Sequence, residues 1–168
     1  MGGIIGVIVN NNVVEQSREF AKGQIDANLN LIYQDFRSIE VSVKTLSGQF
    51  AELTDVEKAK NDPNYLKEFK TTYAPMLKQI GEELGITRSI YMYFNVEKFN
   101  QEVDLWYFDD GSGFVMQDSF GMEYYEDYNA WYNLPIDDGV SMWTFPYVSE
   151  TGTAISSYIA PVVKDGEI

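Results

Sequence analysis

The chain contains no cysteine and no histidine. Together these absences remove disulfides, thiolate and imidazole zinc sites, Cys-x-x-Cys redox chemistry and every catalytic dyad that needs an imidazole base. Positive charge is also scarce: 12 Lys and Arg stand against 26 Asp and Glu, for a formal charge of -14. Such a surface repels phosphate backbones and anionic headgroups alike, so no nucleic-acid partner is expected. No run of apolar residues reaches the roughly 20 that a membrane-spanning helix needs. The N-terminal run Gly3 to Val9 (GIIGVIV) is far shorter and lacks the cationic stretch of a signal peptide. Carboxylate chemistry, hard-cation binding and aromatic pockets remain open, and no motif implies a cofactor.

The 168 residues are domain-sized, and with 45% of them hydrophobic they can bury a core. The excess is aromatic: 12 Tyr, 10 Phe and 3 Trp, or 15% of the chain. Tyr and Trp carry apolar area together with a polar handle, so they serve cores and ligand cages equally well. An acidic, cysteine-free, Tyr- and Asn-rich composition suits an exported bacterial protein.

Gly3 to Val9 reads either as a buried strand or as the outer end of a membrane helix. Asn10, Asn11 and Asn12 then form a polar stop and a helix N-cap. Beyond them apolar side chains fall at Ile25, Leu29, Ile32, Phe36, Ile39, Val43, Leu46, Phe50 and Leu53, in alternating steps of four and three. That is a heptad seam, and it predicts a helix over 10–53 about 60 Å long. Such a helix packs along its own domain and overhangs it, free to meet a second subunit. A second helix is predicted from Pro63 at its first turn to Leu84, with Leu66, Phe69, Tyr73, Leu77 and Ile80 inward. Gly85 stops it and Pro75 kinks or splits it.

From Arg88 the period changes to two. Ile90 to Phe94 and Val103 to Phe108 read as strands, and Gly113 to Gln117 as a hairpin partner across the turn Asp109-Asp110-Gly111-Ser112-Gly113. That turn lacks the alternating ligands and terminal Glu of a calcium loop. Further on come a turn at Pro135 to Gly139, a strand Met142 to Ser149, a second turn and a strand Ala154 to Val163. The fold class is α+β, with a long N-terminal helix on an antiparallel sheet of about five strands.

The segment 131–166 carries Trp131-Tyr132, Asp138-Gly139, Trp143, Pro146-Tyr147, Thr151-Gly152, Pro161-Val162 and Asp165-Gly166. In this pattern the chain resembles the double Cache family, the extracytoplasmic sensor domains of bacterial and archaeal chemoreceptors, histidine kinases and cyclic-nucleotide enzymes. The strand SIYMYFN and the long helix are similar too. The resemblance implies a PAS-like, membrane-distal module at 54–168, a signalling helix at 10–53, and at 1–9 the end of a truncated transmembrane helix. It also implies a membrane-proximal module beyond the present C-terminus. Ligand-binding positions carried over from the family are Tyr124, Asn129, Trp131, Tyr132, Tyr147 and Ser149. In family members that bind amino acids, an Arg stands where Asn129 is and an Asp where Ser149 is. Asn cannot grip a carboxylate in two charged bonds, and Ser is only a neutral partner for an ammonium, which argues against an amino-acid ligand.

The reading that follows is a non-enzymatic small-molecule sensor joined to a membrane through its parent protein. Trp131, Tyr132, Trp143 and Tyr147 would form an aromatic cage suited to a small organic cation or a neutral polar molecule, with Asp118, Glu123, Glu126 and Asp127 adding negative charge. Two alternatives stand beside it. One is a glycan-processing enzyme using a carboxylate pair from Asp109, Asp110, Glu123, Glu126, Asp127, Asp137 and Asp138. The other is an interaction protein that forms a homodimer along the helix seam.

Overall fold

A computed structural model describes residues 2–118, 130–148 and 152–166; for residues 2–13 and 130 it describes the backbone alone. Helix α1 runs Gly2–Leu53. It passes through Asn10 to Asn12, which therefore neither stop nor cap it, and Gly3 to Val9 is helical rather than a strand. Each Asn costs only about 0.7 kcal/mol relative to Ala in a helix interior. That is too little to break a helix already propagating.

The chain divides into two units, Met1–Ser38 and Ile39–Ile168. In the first, every side chain described is exposed, including the seam residues Ile25, Leu29, Ile32 and Phe36. In the second the seam is covered: Leu46 is buried, Phe50 is 2% exposed, and Ile39 and Val43 are half-buried.

Within Ile39–Ile168, α1 ends where the Thr54 hydroxyl donates to the Phe50 carbonyl. Asp55 then caps a helix that the periodicity missed, α2 (Val56–Asn61), by accepting from the Lys58 N–H at 3.0 Å. Asp62 ends α2 in an extended conformation, as a residue before proline prefers. Pro63 therefore sits in the connecting turn, outside the first turn of α3 (Tyr65–Leu84). Pro75 lies inside α3 and does not split it, and Gly85 closes it with φ 67°.

Strands β1 (Ser89–Tyr93), β2 (Asp104–Asp109) and β3 (Phe114–Met116) form an antiparallel sheet in that order. A single-turn helix, α4 (Val96–Phe99), lies between the first two. Opposite pairs include Met92 with Leu105 and Tyr91 with Trp106, so alternate residues divide between two faces. Ile90, Met92, Leu105, Tyr107 and Phe114 join the core with Leu46, Phe50, Leu66, Phe69 and Leu77 of the helices. Gly81 lets α3 approach closely: a Cβ there would stand 2.8 Å from Ile90 Cγ2.

Pro135 to Gly139 is not a free turn. It closes a helix, α5 (Ala130–Asp138), with Gly139 at φ 66° donating to the Pro135 carbonyl. The last two expected strands are present as a hairpin in short ladders. These are β4 (Met142–Trp143) with β7 (Tyr158–Ile159), and β5 (Tyr147–Val148) with β6 (Ala154–Ile155). Among the described residues no ladder joins them to β1–β3, so the single sheet of about five strands resolves into a three-stranded sheet and a separate hairpin.

The hairpin is interrupted because residues 144–146 stand opposite only 156–157, a bulge of one residue. Pro146 has no N–H for the ladder. Thr144 fills in: its N–H donates to the Ser157 carbonyl, and its hydroxyl accepts from the Ser157 N–H. The bulge throws Phe145 outward, 94% exposed.

Candidate ligand cavity

The face of β1 and β2 turned away from the core carries Ser89, Tyr91, Tyr93, Trp106 and Phe108, a consequence of strand alternation. Helix α5 lays Trp131 on it, with ring centroids 5.4 Å from Tyr91 and 5.0 Å from Tyr93. Trp106 Nε1 donates to the Ser89 hydroxyl, which in turn reaches the Tyr107 carbonyl. The hairpin forms another wall: Trp143 packs on Tyr158 at 5.2 Å, and the Tyr147 and Ser157 hydroxyls share a 2.9 Å hydrogen bond. The remaining wall is the C-terminal part of α1, through Ile39, Val43, Leu46, Ser47 and Phe50. Together they line a half-open cavity of about 490 Å³.

Three contacts tie the hairpin and the segment after it to one edge of α1, beside the apolar seam. Trp143 Nε1 donates to Glu40 Oε1 at 2.9 Å, the Lys44 ammonium lies 5.8 Å over the Tyr158 ring, and the Ser47 hydroxyl donates to the Pro161 carbonyl at 2.5 Å. Positions 40, 44 and 47 fall on one stripe of a helix. An ion pair of half-buried Lys164 with exposed Glu52, at 3.5 Å, lies further along.

Of the residues expected at a ligand site, Trp131, Tyr132, Trp143 and Tyr147 all line this cavity. They sit in different groups within it: Trp131 and Tyr132 on α5, Trp143 and Tyr147 on the hairpin. Tyr132 is also a structural residue, since it is buried and its hydroxyl accepts from the Val96 N–H at 3.0 Å, holding the start of α4. Burial raises the Tyr132 phenol above its ordinary value, the Val96 bond pulls it down, and the Glu97 charge adds to the rise. Tyr124, Asn129 and Ser149 lie outside the described residues, as do Glu123, Glu126 and Asp127. Asp118 is described and exposed.

Sequence reasoning missed Tyr91, Tyr93 and Tyr158. The available signal was the alternation itself, which sets Tyr91 and Tyr93 opposite to the core residues Ile90 and Met92.

Of the carboxylates considered for catalysis, the four that are described, Asp109, Asp110, Asp137 and Asp138, are occupied by local structure or face solvent. Asp109 accepts from the Gly111 and Gly113 N–H groups and stands 4.0 Å from Arg88. Asp110 holds Ser112, whose hydroxyl and backbone bonds lower its carboxyl below the usual range. Asp137 and Asp138 are exposed. The charged residues among the described cavity lining are Arg88, Lys98 and Lys164, with no carboxylate. Among the described residues no helix is long and apolar enough to cross a membrane. Compared with known proteins, the chain matches no family model, no curated protein and no solved structure.

Proposed function

We propose that the chain is a small-molecule sensor module of the double Cache type, with a PAS-like fold and no chemistry of its own. On this reading it is the extracytoplasmic part of a membrane-anchored chemoreceptor or histidine kinase. The observation that carries the proposal is the shared wall: α1 supplies Ile39, Val43, Leu46, Ser47 and Phe50 to the same cavity that Trp131, Tyr147 and Tyr158 line. A guest there touches the long helix directly, and the contacts at Glu40, Lys44 and Ser47 join that helix to the rest of the wall. A ligand biases such an equilibrium only by its difference in affinity between two states, so binding must move the helix against its wall. The exposed seam at Ile25, Leu29, Ile32 and Phe36 suits a homodimer, which light scattering over a range of concentrations tests.

The central test is a thermal-shift screen of metabolites, in which a ligand at a hundredfold excess over its dissociation constant stabilises by roughly 2.7 kcal/mol. Because the chain has no native cysteine, spin labels at Gln49→Cys and Val115→Cys then report the helix position. The expected result is a metabolite that raises Tm and shifts the label distance. An unchanged distance at saturation would remove the signalling role.

A further inference from the structure

We infer that the cavity takes an uncharged, flat and largely apolar molecule, rather than an amino acid or an organic cation; this rests on the proposed reading of the cavity as a ligand site. Charge among the described lining residues points to the class. A buried ionic ligand needs a protein group of opposite sign, because an uncompensated charge out of water is costly. A cation finds no carboxylate among the described lining residues. An anion finds Arg88, Lys98 and Lys164, but these already answer to the protein. Arg88 is paired with Asp109 at 4.0 Å and Lys164 with Glu52 at 3.5 Å, and Lys98 also has a partner within the chain.

The aromatic walls point the same way. An aromatic cage holds a cation by presenting open ring faces to it. Here protein cations occupy two of those rings: Lys44 lies 5.8 Å from the centroid of Tyr158, and Arg88 lies 5.5 Å from that of Phe108. Trp131 is packed by Tyr91, Tyr93 and Tyr132 at 5.0 to 5.9 Å, all at steep angles. What these rings, with the aliphatic side chains of α1, offer a guest is flat apolar contact. The Tyr147 and Ser157 hydroxyl pair adds a neutral polar group. The volume of about 490 Å³ suits a molecule of two or three fused or linked rings.

Three probes built on the same ring system test this on the full chain: uncharged N-phenylnaphthylamine, anionic anilinonaphthalene sulfonate and a cationic anilinonaphthalene with a trimethylammonium group in place of the sulfonate. The expected result is one saturable site for the uncharged probe, at least about tenfold tighter than for either ion. Ala160→Trp and Ile136→Trp, which fill the cavity from different walls, should each weaken that binding about tenfold while circular dichroism shows the fold retained. Having two variants keeps the test decisive if one fails to fold. Equal or tighter binding of a charged probe, sensitive to the same variants, overturns the uncharged class and leaves the sensor reading standing. No binding by any probe, or binding indifferent to both variants, overturns the cavity as a site, and the proposed function with it.

Discussion

Asp104 is fully buried (0% exposed), and the Lys70 ammonium reaches its carboxylate at 3.1 Å from α3. Removing Lys70 takes a charged partner from a carboxylate held out of water in the core. Lys70→Met should therefore cost about 3 to 5 kcal/mol in urea unfolding. The double change Lys70→Met with Asp104→Leu should recover much of that loss, because the buried charge is then gone. Tyr132→Phe leaves the Val96 N–H without its acceptor and should cost about 1 to 3 kcal/mol by the same measurement. Because the folded phenol is raised above 10.0, the neutral form favours the native state. Tyr132 therefore stabilises fully below pH 10 and loses that contribution as pH climbs through the raised value. A pH series of wild type against Tyr132→Phe should show the gap narrowing only on the alkaline side. At this scale Trp131, Tyr132 and Tyr147 were legible in the sequence as lining residues. The division of Tyr132 between lining and anchoring was not, since its partner is a backbone amide 36 positions away.

Elements were legible where a period is long and unbroken. The seam from Ile25 to Leu53 predicts a helix and α1 provides it, yet the same pattern is silent on where burial begins. That boundary depends on what covers the helix, and coverage starts at Ile39. The short elements were misread for local reasons. Proline at the fourth position from the end of α5 resembled a turn, and α2 is too short for any stripe to declare itself. The break in the hairpin was hidden because Thr144 substitutes its hydroxyl for a ladder partner, which β-propensity does not encode. Two predictions belong here. Gly81→Ala should destabilise by about 1 to 3 kcal/mol despite better helix propensity, since the new methyl meets Ile90 and Phe114 at 2.8 and 3.0 Å. Trp143→Phe keeps a ring against Tyr158 but loses the bond to Glu40, at about 1.5 to 3 kcal/mol for a bond to a charged acceptor. A double-mutant cycle with Glu40→Gln should show the two changes to be non-additive.

For the molecule as a whole, a formal charge of -14 acts against the compact state through self-repulsion. Raising sodium chloride from about 0.01 M to about 1 M shortens the Debye length from about 30 Å to about 3 Å and should raise Tm. A fall in Tm over that range would mean that attractive ion pairs such as Lys70 with Asp104 outweigh the repulsion. The spacing of the three α1 contacts has a further consequence. If the helix climbed one turn, about 5.4 Å, Trp143 would confront the ammonium of Lys44, Tyr158 would face Gly48, and Pro161 would meet Ala51 in place of a hydroxyl. Dropping one turn is no better, for Trp143 would meet Phe36, Tyr158 the carboxylate of Glu40, and Pro161 the aliphatic Val43. The sequence thus provides a detent with a single notch. The motion this spacing favours is a tilt or twist of small amplitude that bends these bonds, because neither slipped position replaces all three contacts.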